Sequence, residues 1–220
     1  HIPSRIDPCP SALLYFQKHA STLAIIFVIS AIMYFSVNTP LWHSIAMILL
    51  ATGGIFSLIK FVSYRANRFL DFLHPDTDPM GIGYQINQSL IAIGSGGLTG
   101  LGLSLSTQKW GFLPQTISDS IFAIFAEETG FIGSVFLIFL FLIFLWRGFK
   151  IAKDAKDRFP QLLSIGITSW IILQAFVNIG AMTGILPLTG VPLPFISYGG
   201  SALAIELVGT GLLLNASRNN

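Results

Sequence analysis

Residues Ile121–Trp146, IFAIFAEETGFIGSVFLIFLFLIFLW, decide the reading of this chain. Their second half, FLIFLFLIFLW, holds no charge and no helix breaker, and the whole run exceeds the roughly 20 residues a helix needs to cross a bilayer core about 30 Å thick. Three further stretches read the same way. Leu41–Ile59 follows the break at Pro40, Leu162–Leu186 lies between Pro160 and Pro187, and Thr22–Val37 is shorter. A fifth, Gly199–Leu214, follows a Pro-rich loop and carries Glu206. The expected fold class is therefore an all-α polytopic membrane protein of about five transmembrane helices, forming one membrane domain over residues 1–220.

Composition agrees. Of 220 residues 53% are hydrophobic and only 10% charged, with a mean hydropathy of +0.73, whereas soluble domains carry about 25% charge. Too few charges remain to cover a water-facing surface, which excludes a soluble domain, a disordered tail and a nucleic-acid binder needing a basic stripe. The net charge of +2 steers nothing by itself, and the single cysteine, Cys9, closes no internal disulfide. The chain begins at His1 with no signal peptide in HIPSRIDPCP, and reads as part of a longer protein.

Between the second and third spans, residues 60–118 form a long connection. Its YQINQSLIAIGSGGLTGLGLSL tract is apolar with spaced glycines, which predicts re-entrant or interfacial backbone packed against the spans. No Walker lysine follows these glycines and no strand precedes them, so they do not read as a nucleotide loop. The basic loop RGFKIAKDAKDRFP between two strong spans is placed in the cytoplasm by the short-loop charge rule. Alternation then puts the 60–118 connection and the LPLTGVPLPFIS loop outside. Lys60, Arg65, Arg68 and Lys109 become outer-side cations. They are either holders of a lipid phosphate or ordinary charges of a translocated loop.

Ionisable groups at membrane depth are expensive and mark function by default. Four carboxylates qualify: Asp119, Glu127, Glu128 and Glu206. Asp119 stands at the outer mouth of the 121–146 span, where the polar run QKWGFLPQTIS leads into it. It reads either as an acid at a helix N-terminus, capped by Ser118, or as a carboxylate in a wet, semi-buried cleft. Glu127 and Glu128 are adjacent, so at least one is expected to bond polar groups of a neighbouring helix, and Glu206 is expected to bond helix to helix. Tyr84, Trp110 and Tyr198 flank spans as interfacial anchors. His19, His43 and His74 are scattered without metal-site spacing.

Taken together, FLDFLHPDTDPMGIGYQINQSLIAIGSGGLTGLGL, GFLPQTISDSIFAIFAEETGFIG and NIGAMTGILPLTGVPLPFISYGGSAL resemble the SEDS family, which includes FtsW, RodA and SpoVE. GLSLSTQKW and the LLNASR ending are closest to the FtsW branch. The family has ten spans, so the resemblance implies its C-terminal half. It also implies a peptidoglycan glycosyltransferase that polymerises lipid II at the outer face of the bacterial cytoplasmic membrane, beside a class B penicillin-binding protein. The family's aspartate, in a pattern like H-T-D-F-I-F-A, matches I-S-D-S-I-F-A here and puts the catalytic role on Asp119. Ile117, Ser118 and Ser120 depart from that pattern. In QKHAST, Lys18 and His19 stand where the family has Pro and Asp, so no supporting role carries over to them.

The chemistry implied is attack of a sugar hydroxyl on an anomeric carbon bearing undecaprenyl pyrophosphate. Asp119 would take the proton, and the leaving pyrophosphate would need Lys60, Arg65, Arg68, Lys109 or a divalent cation. Tyr198, Gly199, Gly200 and Ser201 open the last span. They read as a structural turn with close helix approach and a Ser201 cap, or as part of a lipid-substrate groove. Two other functions fit the same residues: a flippase for the lipid-linked precursor, and a non-catalytic scaffold for a cell-wall synthase.

Overall fold

A computed structural model describes residues 20–36, 82–106 and 119–218. Five helices run through them: α1 (Ala20–Phe35), α2 (Ile82–Ser95), α3 (Ile121–Asp154), α4 (Arg158–Met182) and α5 (Gly200–Arg218). No strand occurs among the described residues. α3, α4 and α5 are each long and apolar enough to cross a membrane, and α1 is a shorter apolar helix. The span expected over 41–59, and the 60–81 and 107–118 parts of the long connection, lie outside the described residues.

α4 is the hub. α3, α1, α5 and α2 all pack on it, and half of its apolar stretch is buried against 11% of that of α3. Without a solvent-driven force between helices in lipid, such packing depends on close approach at small residues. Gly148 of α3 supplies one: a Cβ there would overlap the Thr168 hydroxyl of α4. α4 begins at Arg158, earlier than Pro160 suggested. Proline is accommodated in a first turn, where the amide it lacks has no helical partner. It ends at Met182 because Gly184 turns at φ +71° and the amides of Ile185 and Leu186 fold back onto the Gly180 carbonyl, both at 2.9 Å.

The 34 residues of α3 would extend about 51 Å as continuous helix, well beyond a hydrocarbon core of about 30 Å. Its C-terminal turns therefore carry RGFKIAKD past the apolar zone that ends near Trp146. There Lys150 Nζ lies 5.6 Å and Arg147 Cζ 6.0 Å from the Trp146 ring centre, a cation–aromatic grouping suited to a membrane interface.

The helix is not continuous. Gly130 sits at φ +69°, ψ −167°, outside helical space, and the glycine-rich turn after α2 is inserted at the break. In an unbroken helix the amides of Phe131 and Ile132 would donate to the carbonyls of Glu127 and Glu128. Here they donate to Gly97 (2.9 Å) and Leu98 (3.2 Å), while those two carbonyls accept from Leu101 (3.0 Å) and Gly102 (3.1 Å). All four groups exchange partners and none is left unpaired, which is the condition for irregular backbone at membrane depth. A Cβ on Gly130 would overlap the Gly100 amide, so the two segments meet backbone to backbone.

Candidate functional site

Asp119 immediately precedes Ser120, the N-cap of α3. The cap residue is thus Ser120 and not Ser118, and Asp119 sits one step outside the helix. Its side chain is half-buried, and among the described residues no hydrogen bond reaches its carboxylate. Three elements fix the surrounding backbone. From α4, the fully buried Asn178 donates its Nδ2 to the Asp119 carbonyl at 2.8 Å and to the Val191 carbonyl at 2.7 Å. From α2, Gln85 Nε2 donates to Ser120 Oγ at 3.2 Å. From α1, Ser21 Oγ donates to the Thr189 carbonyl at 2.9 Å. Between Thr189 and Val191 lies Gly190, at φ +66°, where a Cβ would come within 3.3 Å of Asp119 Oδ2. The bare backbone of that glycine forms one wall of the carboxylate's surroundings.

The loop 183–199 carrying Gly190 has little secondary structure of its own, so its polar groups are taken up by side chains. Gln174, one turn before Asn178 on α4, donates to the Pro192 carbonyl at 3.1 Å. The Leu193 amide donates to Ser197 Oγ at 2.7 Å and the Phe195 amide to Glu206 Oε2 at 2.8 Å. Glu206 was expected to bond helix to helix; it reaches this loop instead, because Phe195, at φ +65°, turns its amide toward α5.

Glu127 is fully buried and accepts a hydrogen bond from Ser106 Oγ. Ser106 lies in the segment after the glycine-rich turn, which packs against this part of α3. Glu128 is half-buried beside it and contributes its carbonyl to the same turn. Tyr198 is 82% exposed. Ser201 lies inside the first turn of α5, whose first bond runs from the Leu203 amide to the Gly199 carbonyl, so Gly199 occupies the cap position assigned to Ser201. A Cβ on Gly199 would meet Ala202 at an ordinary 3.5 Å and one on Gly200 would meet nothing. Close helix approach at this pair is thus not a feature of the described residues. Lys60, Arg65, Arg68 and Lys109 lie outside those residues, as do Lys18, Trp110, His19, His43 and His74. Among the described residues no three or more His, Cys, Asp or Glu side chains gather to hold a metal.

A reading built on charges missed Asn178 and Gln174, of which the second braces only the 183–199 loop, and also Gly190 beside Asp119. The first two do leave a signal. They are amides four residues apart inside an apolar span, hence on one face, and a buried amide in lipid needs a partner. Gly190 carries no comparable mark.

The chain as a whole is similar to known proteins. Residues 6–220 match the family model FtsW/RodA/SpoVE, described as cell cycle protein. Stage V sporulation protein E of Bacillus subtilis is 44% identical over 187 residues, covering 85% of this chain and 51% of that protein. A probable peptidoglycan glycosyltransferase FtsW of Geobacter metallireducens is 41% identical over 189 residues, covering 86% and 50%. Among solved structures, a chain from a peptidoglycan synthase complex described as coordinating polymerization and crosslinking superposes with a TM-score of 0.73 at 26% identity, over 94% of this chain and 58% of that one. The rod shape determining protein RodA of Thermus thermophilus gives 0.61 at 26% identity, over 94% and 53%. The chain spans about half the length of the curated relatives it matches. On the breadth of that match and the identity it retains, this multi-pass protein of the bacterial cytoplasmic membrane belongs to the FtsW/RodA/SpoVE family of cell cycle proteins.

Proposed function

We propose that this chain carries the polymerising site of a peptidoglycan glycosyltransferase acting on lipid II at the outer face of the membrane, with Asp119 as general base. The observation that carries the reading is the Asp119 carboxylate itself. It is half-buried at the mouth of a span, faces the bare Gly190 backbone, and among the described residues spends its acceptor capacity on no hydrogen bond. A base must be available to a proton while its backbone stays fixed, and Asn178 fixes that backbone. The names of the FtsW relatives supply the reaction class. In the step, the acceptor sugar hydroxyl loses its proton to Asp119 and its oxygen bonds the anomeric carbon, while the carbon–oxygen bond to undecaprenyl pyrophosphate breaks. The leaving pyrophosphate takes the electron pair and is stabilised by cations, for which Lys60, Arg65, Arg68 and Lys109 are the candidates; a divalent cation could supply the same charge. A class B penicillin-binding protein is the proposed partner, in keeping with the synthase complex that this fold resembles.

Asp119→Asn tests the assignment in the intact protein, purified with lipid II in detergent. Glycan strands are expected to disappear from the gel while membrane insertion and thermal melting stay as in the parent. Undiminished strand formation would remove Asp119 from the role.

One observation favours the flippase reading. The break at Gly130 lies nine residues beyond Ile121, about 14 Å along α3 and so near mid-membrane, beside the buried Glu127, and broken helices at that depth are a transporter feature. Detergent separates the two, because translocation has no meaning there: strands formed in micelles require an enzyme.

A further inference from the structure

We infer that Asn178 is the positioning residue for Asp119, its amide tying the Asp119 segment to the Gly190 segment across the carboxylate. The inference rests on the reading of Asp119 as the base. Asn178 is 1% exposed, and its Nδ2 is bonded at once to the carbonyl of Asp119 and to that of Val191. Those two carbonyls belong to the two segments that face each other across the carboxylate, one leading into α3 and one following Gly190. A two-proton donor between them ties the one segment to the other. Its other atom, Oδ1, is buried without a partner among the described residues. A group held for stability alone would gain from pairing that acceptor. Gln174 provides an internal contrast. It holds the same loop through the Pro192 carbonyl but has no bond to the Asp119 segment.

The test compares Asn178→Ser and Asn178→Asp with Gln174→Leu in the intact protein, following lipid II polymerisation in detergent. Both Asn178 variants are expected to lower kcat at least tenfold with KM for lipid II changed less than threefold, whereas Gln174→Leu leaves kcat within threefold. In an Asp119→Glu background, where the carboxylate is already displaced, Asn178→Ser is expected to cost less than threefold more. A role confined to holding the loop predicts equal losses at 174 and 178, and the same loss in both backgrounds; either result overturns the inference. So does failure of both Asn178 variants to fold, which would make the amide structural. If Asp119→Asn is dead and the Asn178 variants run at the parental rate, the positioning role alone falls. If Asp119→Asn is active, the base assignment falls and takes this role with it.

Discussion

The two parts of α3 on either side of Gly130 are built to opposite rules. Before the break, Phe122, Ala123, Ile124, Ala126 and Glu127 are buried against α2, its glycine-rich turn and α4. After it, Phe131, Phe136, Phe139 and Leu142 are more than half exposed and form an apolar face of the kind that lipid solvates. Both parts belong to one apolar run, yet only the first has neighbours specific enough to build a site. The difference shows that apolarity places a segment in the membrane, while the pairing of its backbone and few polar groups decides whether it belongs to the machinery.

Substitutions can break or sharpen that contrast, beginning with the break itself. Gly130→Ala should have the largest effect. Its φ, ψ are accessible essentially to glycine alone and the new methyl would strike the Gly100 backbone, so a loss of about 3–5 kcal/mol is expected, seen as a large drop in melting temperature in detergent. Next, Phe122→Ala, at 3% exposure, should cost about 3 kcal/mol or more by opening a cavity. Phe139→Ala, at 56% exposure, should cost under about 1 kcal/mol, since lipid fills the space. Equal costs at these two positions would erase the contrast. Glu127→Ala would leave Ser106 without its buried acceptor at about 1–3 kcal/mol, whereas Glu127→Gln keeps an acceptor oxygen and should cost the least, about 1 kcal/mol or below. Denaturant titration in micelles ranks this pair.

Much of the architecture was legible because lipid imposes a one-dimensional rule: long uncharged runs between prolines become helices. The place of Asp119 at the edge of a span was legible because a carboxylate there is costly enough to notice. The apolar glycine tract 84–105 read as backbone packed on the spans, but not as an insertion into α3. That insertion needs the amides of residues 131 and 132 to find partners some thirty residues upstream, and no local pattern encodes a bond between distant backbones. The partner of Glu206 was misjudged for the same reason, since an acceptor in a span marks a need for a donor without naming it.

By itself, then, the chain's order of residues determined where it enters the bilayer, which runs become helix, and which carboxylate stands at the rim, since these depend on transfer free energies summed along one segment. Only the tertiary structure decided that α3 opens at Gly130, that Asn178 spans two carbonyls, and that Gly190 backs Asp119. Each of these is a contact between segments far apart in the chain, where the requirement to satisfy every buried polar group selects one partner among many.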